Sequence, residues 1–479
     1  GANDGMLHAF SDADGTETFA YMPRNILGSV KQLADPAYTH RYFVDGPVYE
    51  TDVYDQSASK WRNLIQGSGG AGGKYVYTIR MPVADWTSGN TPPAALSTTA
   101  SAPGASDILW EIDNQTPQFE ELGYTLTRPV TGVTRDGTWV TIFGNGYESA
   151  SGKAQLFVVN ALTGAFISRI DTGVAGPSAS APNGLGGVGV VLDGQRRIVA
   201  AYAGDLLGNV WKFDFSTGNP ASAAVAFGGK PLYTAKNTSN QPEPIFAKPQ
   251  FRAFPMGGVM VLFGTGKLFS IGDQTNKDQR TLYGIWDKLS IGGGAGTAAD
   301  VADPAKIVSQ SIITTSIAGD DGNIYRKLTI NPVDFKDDRG WKLPLSIING
   351  ERLIDEPQLA FGSVFMQTVI PVDAIDDCRP AKLQRRGYML DPFMSGKAIP
   401  AFKSNSAGKY DSQVVDLVGV GANRVLSADS TSNNKQSIVV IGARDPKDPS
   451  KQPGIGGSGG GGDTIQRYWR EIVSPSEIK

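Results

Sequence analysis

The sequence predicts an all-β fold, a β-propeller of about seven four-stranded blades, and three observations lead there. Glycine and proline are abundant, 59 and 29 of 479 residues, and no stretch keeps apolar residues at helical spacing beyond a turn or two. A strand followed by a fixed turn recurs along the chain at irregular intervals. Two companion strands precede most recurrences, one opened by Pro and one closed by Gly.

The Pro-led strand comes first in each unit: Gly46-Pro47-Val48, Arg128-Pro129-Val130, Lys248-Pro249-Gln250 and Glu356-Pro357-Gln358. Proline is tolerated where a strand begins, because no ladder donor is lost there. The second element is an apolar run ending in Gly: Val140 to Gly144, Ile198 to Gly204, Val261 to Gly264 and Ile438 to Gly442. The third carries the turn, in Leu7-His8-Ala9-Phe10-Ser11-Asp12-Ala13-Asp14-Gly15, Leu156 to Gly164 and Val210 to Gly218. Arg386 to Gly396 repeats that frame with one extra turn residue, and Leu282 to Asp287 and Gly322-Asn323-Ile324-Tyr325 echo it more loosely. Alternating large side chains bury a strand face, while Asp or Asn before Thr/Ser-Gly supplies a side-chain acceptor and a left-handed position for the turn. A variable outer strand completes the unit. The chain opens inside a unit, at Gly1-Ala2-Asn3-Asp4-Gly5, and ends on the strand-like Gln466 to Ile472, which together predict a shared closing blade in a single propeller domain over 1–479.

Three insertions interrupt the units, at about 82–104, 292–306 and 445–462. Their Ala, Ser, Gly and Pro content buries too little surface to offset ordering entropy, so they read as mobile surface loops.

Composition narrows the function. The 44 Lys and Arg against 47 Asp and Glu give a net charge of −3 with no basic block, which argues against nucleic acid or an anionic membrane as partner. Runs such as Val259 to Phe263 are strand-sized, far below the roughly 18 apolar residues that span a bilayer, so no transmembrane segment is expected. The single cysteine, Cys378, rules out a disulfide within the chain and reads as a buried free thiol or a partner for a cysteine elsewhere. The Gly start without a leader reads as a piece of a longer precursor whose N-terminal region and export signal lie upstream.

Four segments in order carry a resemblance: Gly1 to Phe10, Met22-Pro23, Tyr42-Phe43-Val44-Asp45-Gly46-Pro47, and Ala201-Tyr202-Ala203-Gly204-Asp205-Leu206-Leu207-Gly208-Asn209-Val210-Trp211-Lys212-Phe213-Asp214. Together they resemble the signature segments of the PilC/PilY family of type IV pilus biogenesis and tip proteins, in its C-terminal propeller. The repeats alone also resemble those of quinoprotein dehydrogenases. The family resemblance implies an exported, non-enzymatic interaction module at the bacterial cell surface, pilus tip or outer membrane. It implies roles in pilus assembly and extension, twitching motility and adhesion, with minor pilins or other pilus components as partners and a host-cell or abiotic surface as a further one. Two alternatives remain: a quinoprotein dehydrogenase-like enzyme, which commonly needs a vicinal cysteine pair, and a surface adhesin propeller outside the pilus.

The family also implies calcium, bound by a loop of alternating acidic residues just before the Tyr-Ala-Gly-Asp segment. Here that place reads Val191-Leu192-Asp193-Gly194-Gln195-Arg196-Arg197-Ile198-Val199. Calcium takes six to eight oxygen ligands, largely carboxylate, and Asp193 is the one carboxylate left. The loop reads as degenerate, an Asp193-Gly194 hairpin turn flanked by Arg196 and Arg197, and no cofactor is expected.

Other motifs take plain readings. Asp12 and Asp14, and Asp320-Asp321-Gly322-Asn323, resemble starts of calcium loops, but the twelfth positions hold Pro23 and Asn331, so both read as turns. Gly264-Thr265-Gly266-Lys267 lacks the rest of a phosphate loop. His8 and His40 are the only histidines, and His8 falls where other units place Phe157 and Trp211, so it is expected to pack. Trp211, Trp286 and Tyr388 are expected to fill blades rather than form a ligand platform. No catalytic residue is predicted.

Overall fold

The computed structural model describes residues 1–11, 14–82, 102–270, 272–318, 324–329, 331–360, 362–371 and 384–395, with strands at 402–403, 411–412, 414–417, 424–428 and 437–441. Asp12, most of the 82–104 insertion, Asp320 to Asn323, Cys378, the 445–462 insertion and Gln466 to Ile472 lie outside the described residues. The chain divides into two compact units, Gly1–Leu232 with Ser290–Ala299, and Tyr233–Leu289 with the described residues from Asp300 on.

The first unit begins with a hairpin of β1 (Leu7–Phe10) and β2 (Glu17–Tyr21), then short helical turns at Arg24–Ala34. Three antiparallel four-stranded blades follow. The first is β3 (Val48–Asp55), β4 (Lys60–Ser68), β5 (Tyr75–Arg80) and β6 (Ile108–Asp113). The second is β7 (Val130–Val133), β8 (Trp139–Gly144), β9 (Lys153–Asn160) and β10 (Phe166–Ala175). The third is β11 (Leu185–Leu192), β12 (Ile198–Asp205), β13 (Asn209–Asp214) and β14 (Ala224–Val225).

The strand period explains the stacking. Side chains alternate between sheet faces, so Phe143, Phe157 and Val159 meet Val76, Trp110 and Ile112 of the preceding blade. Their neighbours Val140, Ile142, Leu156 and Val158 meet Leu185, Ile198, Ala201, Trp211 and Phe213 of the following one. Both faces of β8 and β9 are therefore buried, which is why these strands read as unbroken apolar runs. Each such side chain contributes about 1.5–3 kcal/mol on burial.

The second unit opens with β15 (Tyr233–Thr234) and continues with β16 (Gln250–Ala253), β17 (Val259–Gly264) and β18 (Thr281–Asp287). The sheet of β16, β17 and β18 is completed by β22 (Gly340–Pro344), which pairs in parallel with β19 (Ile307–Ser309) at the edge. Between β19 and β22 the chain makes the hairpin of β20 (Ile312–Ala318) and β21 (Ile324–Leu328). The next sheet contains β23 (Arg352–Leu353), β24 (Gln358–Ala360), β25 (Ser363–Ile370) and β26 (Gln384–Leu390). Past β27 (Phe402–Lys403) and β28 (Asp411–Ser412), β29 (Val414–Leu417) joins it beside β26, and the β20–β21 hairpin extends it to seven strands. Ile324 and Tyr325 thus belong to an edge extension and not to a blade's third strand, which corrects the looser repeat assigned there. A separate pair, β30 (Arg424–Ala428) and β31 (Ser437–Ile441), contains Ile438 to Ile441 of the last apolar run.

The Pro-led starts are as expected: β7, β16 and β24 begin one residue after Pro129, Pro249 and Pro357, and β3 one after Pro47. The third-strand turns also follow the sequence logic. Asn160 Oδ1 accepts from the Leu162 and Thr163 amides at 3.0 Å each, and Asp214 accepts from the Ser216 amide at 3.0 Å. Gly164 and Gly218 hold the left-handed positions, at φ 69° and 92°. Where the frame gains a residue, Asp391 caps the Phe393 and Ser395 amides at 2.9 and 2.8 Å and Met394 takes the left-handed place.

The 292–306 insertion, expected as a surface loop, has local order. It contains short 3-10 turns at Ala298–Asp300 and Pro304–Lys306. In the first unit the Phe227 amide donates to the Ala295 carbonyl at 2.9 Å. In the second, the Arg339 guanidinium donates to the Asp300 and Val301 carbonyls at 2.8 and 3.3 Å. Backbone hydrogen bonds, which composition does not report, tie the segment down.

The Asp193 hairpin also differs in detail. Asp193 N–H donates to the Arg197 carbonyl and Arg196 N–H to the Asp193 carbonyl, both at 2.9 Å, so the loop has three residues and the left-handed one is Arg196, φ 61°. The same bonds close the Thr134–Thr138 and Phe254–Gly258 turns, with Gly137 and Gly257 in that place. An L-residue there costs about 1–2 kcal/mol, partly offset by the entropy a glycine loses on folding. Arg196→Gly should therefore raise stability by about 0.5–1 kcal/mol in a denaturant titration. An unchanged or lowered midpoint would show that Arg196 contributes a contact worth more than its strain.

Candidate functional site: the Asp193 turn and the buried polar knots

Asp193 sits where the turn between β11 and β12 meets the turn between β7 and β8. Its Oδ1 accepts from the Gln195 and Arg197 amides at 3.0 Å each. Its Oδ2 accepts from Arg197 Nε and Nη2 at 3.1 and 2.9 Å and from Arg135 Nε at 3.2 Å. Arg135 also donates to the Ser216 carbonyl at 3.0 Å, so one guanidinium ties three turns together. Burial alone would raise the carboxyl, but Arg197, its own amide and Arg135 outweigh it and hold Asp193 down at about 2. A second guanidinium on Asp193 is that of Arg135, in the neighbouring turn, which the sequence reading did not name. Spacing along the chain could not show a partner 58 residues away.

A calcium ion does not fit this geometry. It would have to displace two guanidinium groups from a single carboxylate, and among the described residues no three His, Cys, Asp or Glu side chains converge to hold a metal.

The other predicted positions are structural. Trp211 is 1% exposed, and its indole N–H donates to Asp205 Oδ2 at 2.9 Å. Asp205 is fully buried and also accepts from Asn183 and Asn209 side chains at 3.1 and 2.9 Å and from the Leu207 and Asn209 amides at 2.9 Å each. Burial pushes its carboxyl up against the pull of these donors. Related knots recur in the second unit, each with a buried acid just ahead of a blade. Glu243 accepts from Thr281 and Tyr283 hydroxyls at 3.1 and 2.9 Å, and burial raises its carboxyl. Glu351 accepts from Thr368 and Tyr388 hydroxyls at 2.6 and 2.7 Å and forms a short ion pair with Arg386. Sequence reading missed Glu243 and Glu351; the Glu243-Pro244 and Glu351-Arg352 steps carry no motif, and only their burial marks them.

Trp286 donates to the Gly257 carbonyl at 2.9 Å and packs on Phe254, as a blade residue should. Lys267 pairs with Asp273 at 2.6 Å instead of facing a phosphate site. Asp14 accepts from Thr16, which makes the turn reading correct there. His8 is a correction: it is half-exposed and bridges Asp4 and Glu17 instead of packing in a core. His40 is exposed, with its ring edge against Tyr42.

The family model described as the PilY1 beta-propeller domain matches residues 1–312. A Xylella fastidiosa protein named Type IV pilus biogenesis factor PilY1 homolog is 33% identical over 428 residues, covering 86% of this chain and 27% of the relative. The Type IV pilus biogenesis factor PilY1 of Pseudomonas aeruginosa PAO1 is 32% identical over 493 residues, 95% of this chain and 38% of the relative. The crystal structure of the P. aeruginosa PilY1 C-terminal domain matches with a TM-score of 0.72 and 27% identity, over 92% of this chain and 90% of that one. The chain thus spans between 27% and 38% of the length of these curated relatives.

Proposed function

Because the chain belongs to the PilY1 β-propeller family, we propose that it is the non-enzymatic interaction module of an exported type IV pilus biogenesis factor. It holds minor pilins or other pilus components and thereby supports pilus assembly and extension, twitching motility and surface adhesion. The observation that supports this reading most is the fate of the buried acids: Asp205, Glu243 and Glu351 are each enclosed and hydrogen-bonded inside a blade. A general acid or base must reach a substrate, and these do not. No helix among the described residues is long and apolar enough to cross a membrane. The test is binding of the purified chain to purified minor pilins, run beside an assay with quinone cofactor and electron acceptor. Pilin binding without turnover is expected; turnover without pilin binding would overturn the reading.

The Asp193 turn is proposed to work without calcium. Chelator should leave the melting temperature unchanged, and calorimetric titration with calcium should show no micromolar site. Micromolar binding that disappears in Asp193→Ala would contradict this and place an ion where Arg135 and Arg197 now sit.

A further inference from the structure

His8 lies on β1, and both of its ring nitrogens meet carboxylates. Nδ1 is 2.5 Å from Glu17 Oε1 on β2, and Nε2 is 2.8 Å from Asp4 Oδ2 in the turn before β1. An ionised carboxylate only accepts, and a neutral imidazole carries one N–H, so the neutral ring can satisfy one of these contacts and opposes a lone pair to the other. The geometry therefore requires the imidazolium. We propose that His8 is a pH-operated latch that fastens the Gly1–Met6 turn to the β1–β2 hairpin when protonated and releases it when deprotonated.

The elements around the ring make the latch matter. Among the described residues, the charged groups that meet the His8 ring are these two carboxylates, Glu17 on β2 and Asp4 in the turn before β1; its strand neighbours Leu7, Ala9 and Phe10 are uncharged. The hairpin has two strands of four and five residues, a size that is marginal without side-chain support. At its base Leu7 and Tyr21 are buried with Ile26 and Phe43, while the outer end carries Phe10, 62% exposed and stacked on the His8 ring at 6.1 Å. Within itself the turn is closed by the Ala2 amide on the Met6 carbonyl at 2.9 Å, the Gly5 amide on the Ala2 carbonyl at 3.3 Å and Asp4 Oδ1, which accepts from the Met6 amide at 2.9 Å, and Asn3 Oδ1 accepts from the Phe43 amide at 3.3 Å. Loss of the proton thus frees the outer hairpin and Phe10 while the base stays packed. Hydrogen bonds to Glu17, then Asp4, hold the imidazolium above its ordinary value of 6.5. With the folded value raised, the latch is fully closed below 6.5 and opens as pH rises through the folded value.

The test follows amide hydrogen exchange in β1 and β2, expressed relative to β12 in the same molecule so that base catalysis cancels, with NMR titration of the two histidine rings in parallel. Relative protection should fall severalfold across the His8 titration. In His8→Gln it should stay low and flat, and in Glu17→Gln the His8 titration should move down. Unchanged β12 protection in each variant establishes that the fold survives. A His8 ring that titrates at or below 6.5, or a protection change that persists in His8→Gln, overturns the latch.

Discussion

Trp211→Ala should destabilise the protein by about 3–5 kcal/mol, the cost of deleting a fully buried large aromatic, and should abolish function through loss of fold. The side chain fills the space between the second and third blades against Leu156, Val158 and Phe213. It also supplies one of the donors to Asp205, a buried carboxylate with no cation among its hydrogen-bond donors. Trp211→Phe separates the two roles. It keeps much of the ring and removes the N–H, so it should cost about 1.5–3 kcal/mol, the range for a hydrogen bond to a charged group. Chemical denaturation of the three proteins checks the order. If Trp211→Ala leaves stability unchanged while function is lost, Trp211 is a contact residue and the packing account fails.

Glu351→Ala should cost about as much, 3–5 kcal/mol, by a different route. Arg386 is 1% exposed and Glu351 is fully buried, so removing the acid leaves a guanidinium in the blade without its carboxylate. The Tyr388 hydroxyl loses its acceptor at the same time, and Thr368 keeps only its longer bond to the Arg386 carbonyl, at 3.3 Å. The pair itself adds little over an apolar replacement, because desolvating two charges offsets most of their attraction. Glu351→Leu with Arg386→Met should therefore recover most of the loss. Denaturant midpoints for the single and double variants decide it, and a double variant as unstable as the single would show that the charges do more than neutralise each other.

How far the sequence could be read follows from these same residues. The blades were legible because their signals are local: proline before a strand, alternation within it, and Asp or Asn with Gly after it all act within about ten residues. Trp211 was legible for that reason, and its buried, hydrogen-bonded place is the expected one. Arg135 was not, because its link to Asp193 is set by the stacking of two blades. His8 misled because its strand position predicts packing, while its side chain is taken up by a carboxylate on each side. The β20–β21 hairpin misled for a topological reason: it leaves one blade's sequence to extend the sheet of the next, and strand patterning does not encode which edge a hairpin joins.

The central claim, that this chain is an interaction module of pilus biogenesis, is tested most directly by piliation in a strain lacking the full-length gene. Complementation with the intact gene should restore surface pili and twitching, and complementation with a gene deleted for these 479 residues should restore neither despite normal export of the remainder. Equal piliation by the deleted form would contradict the account.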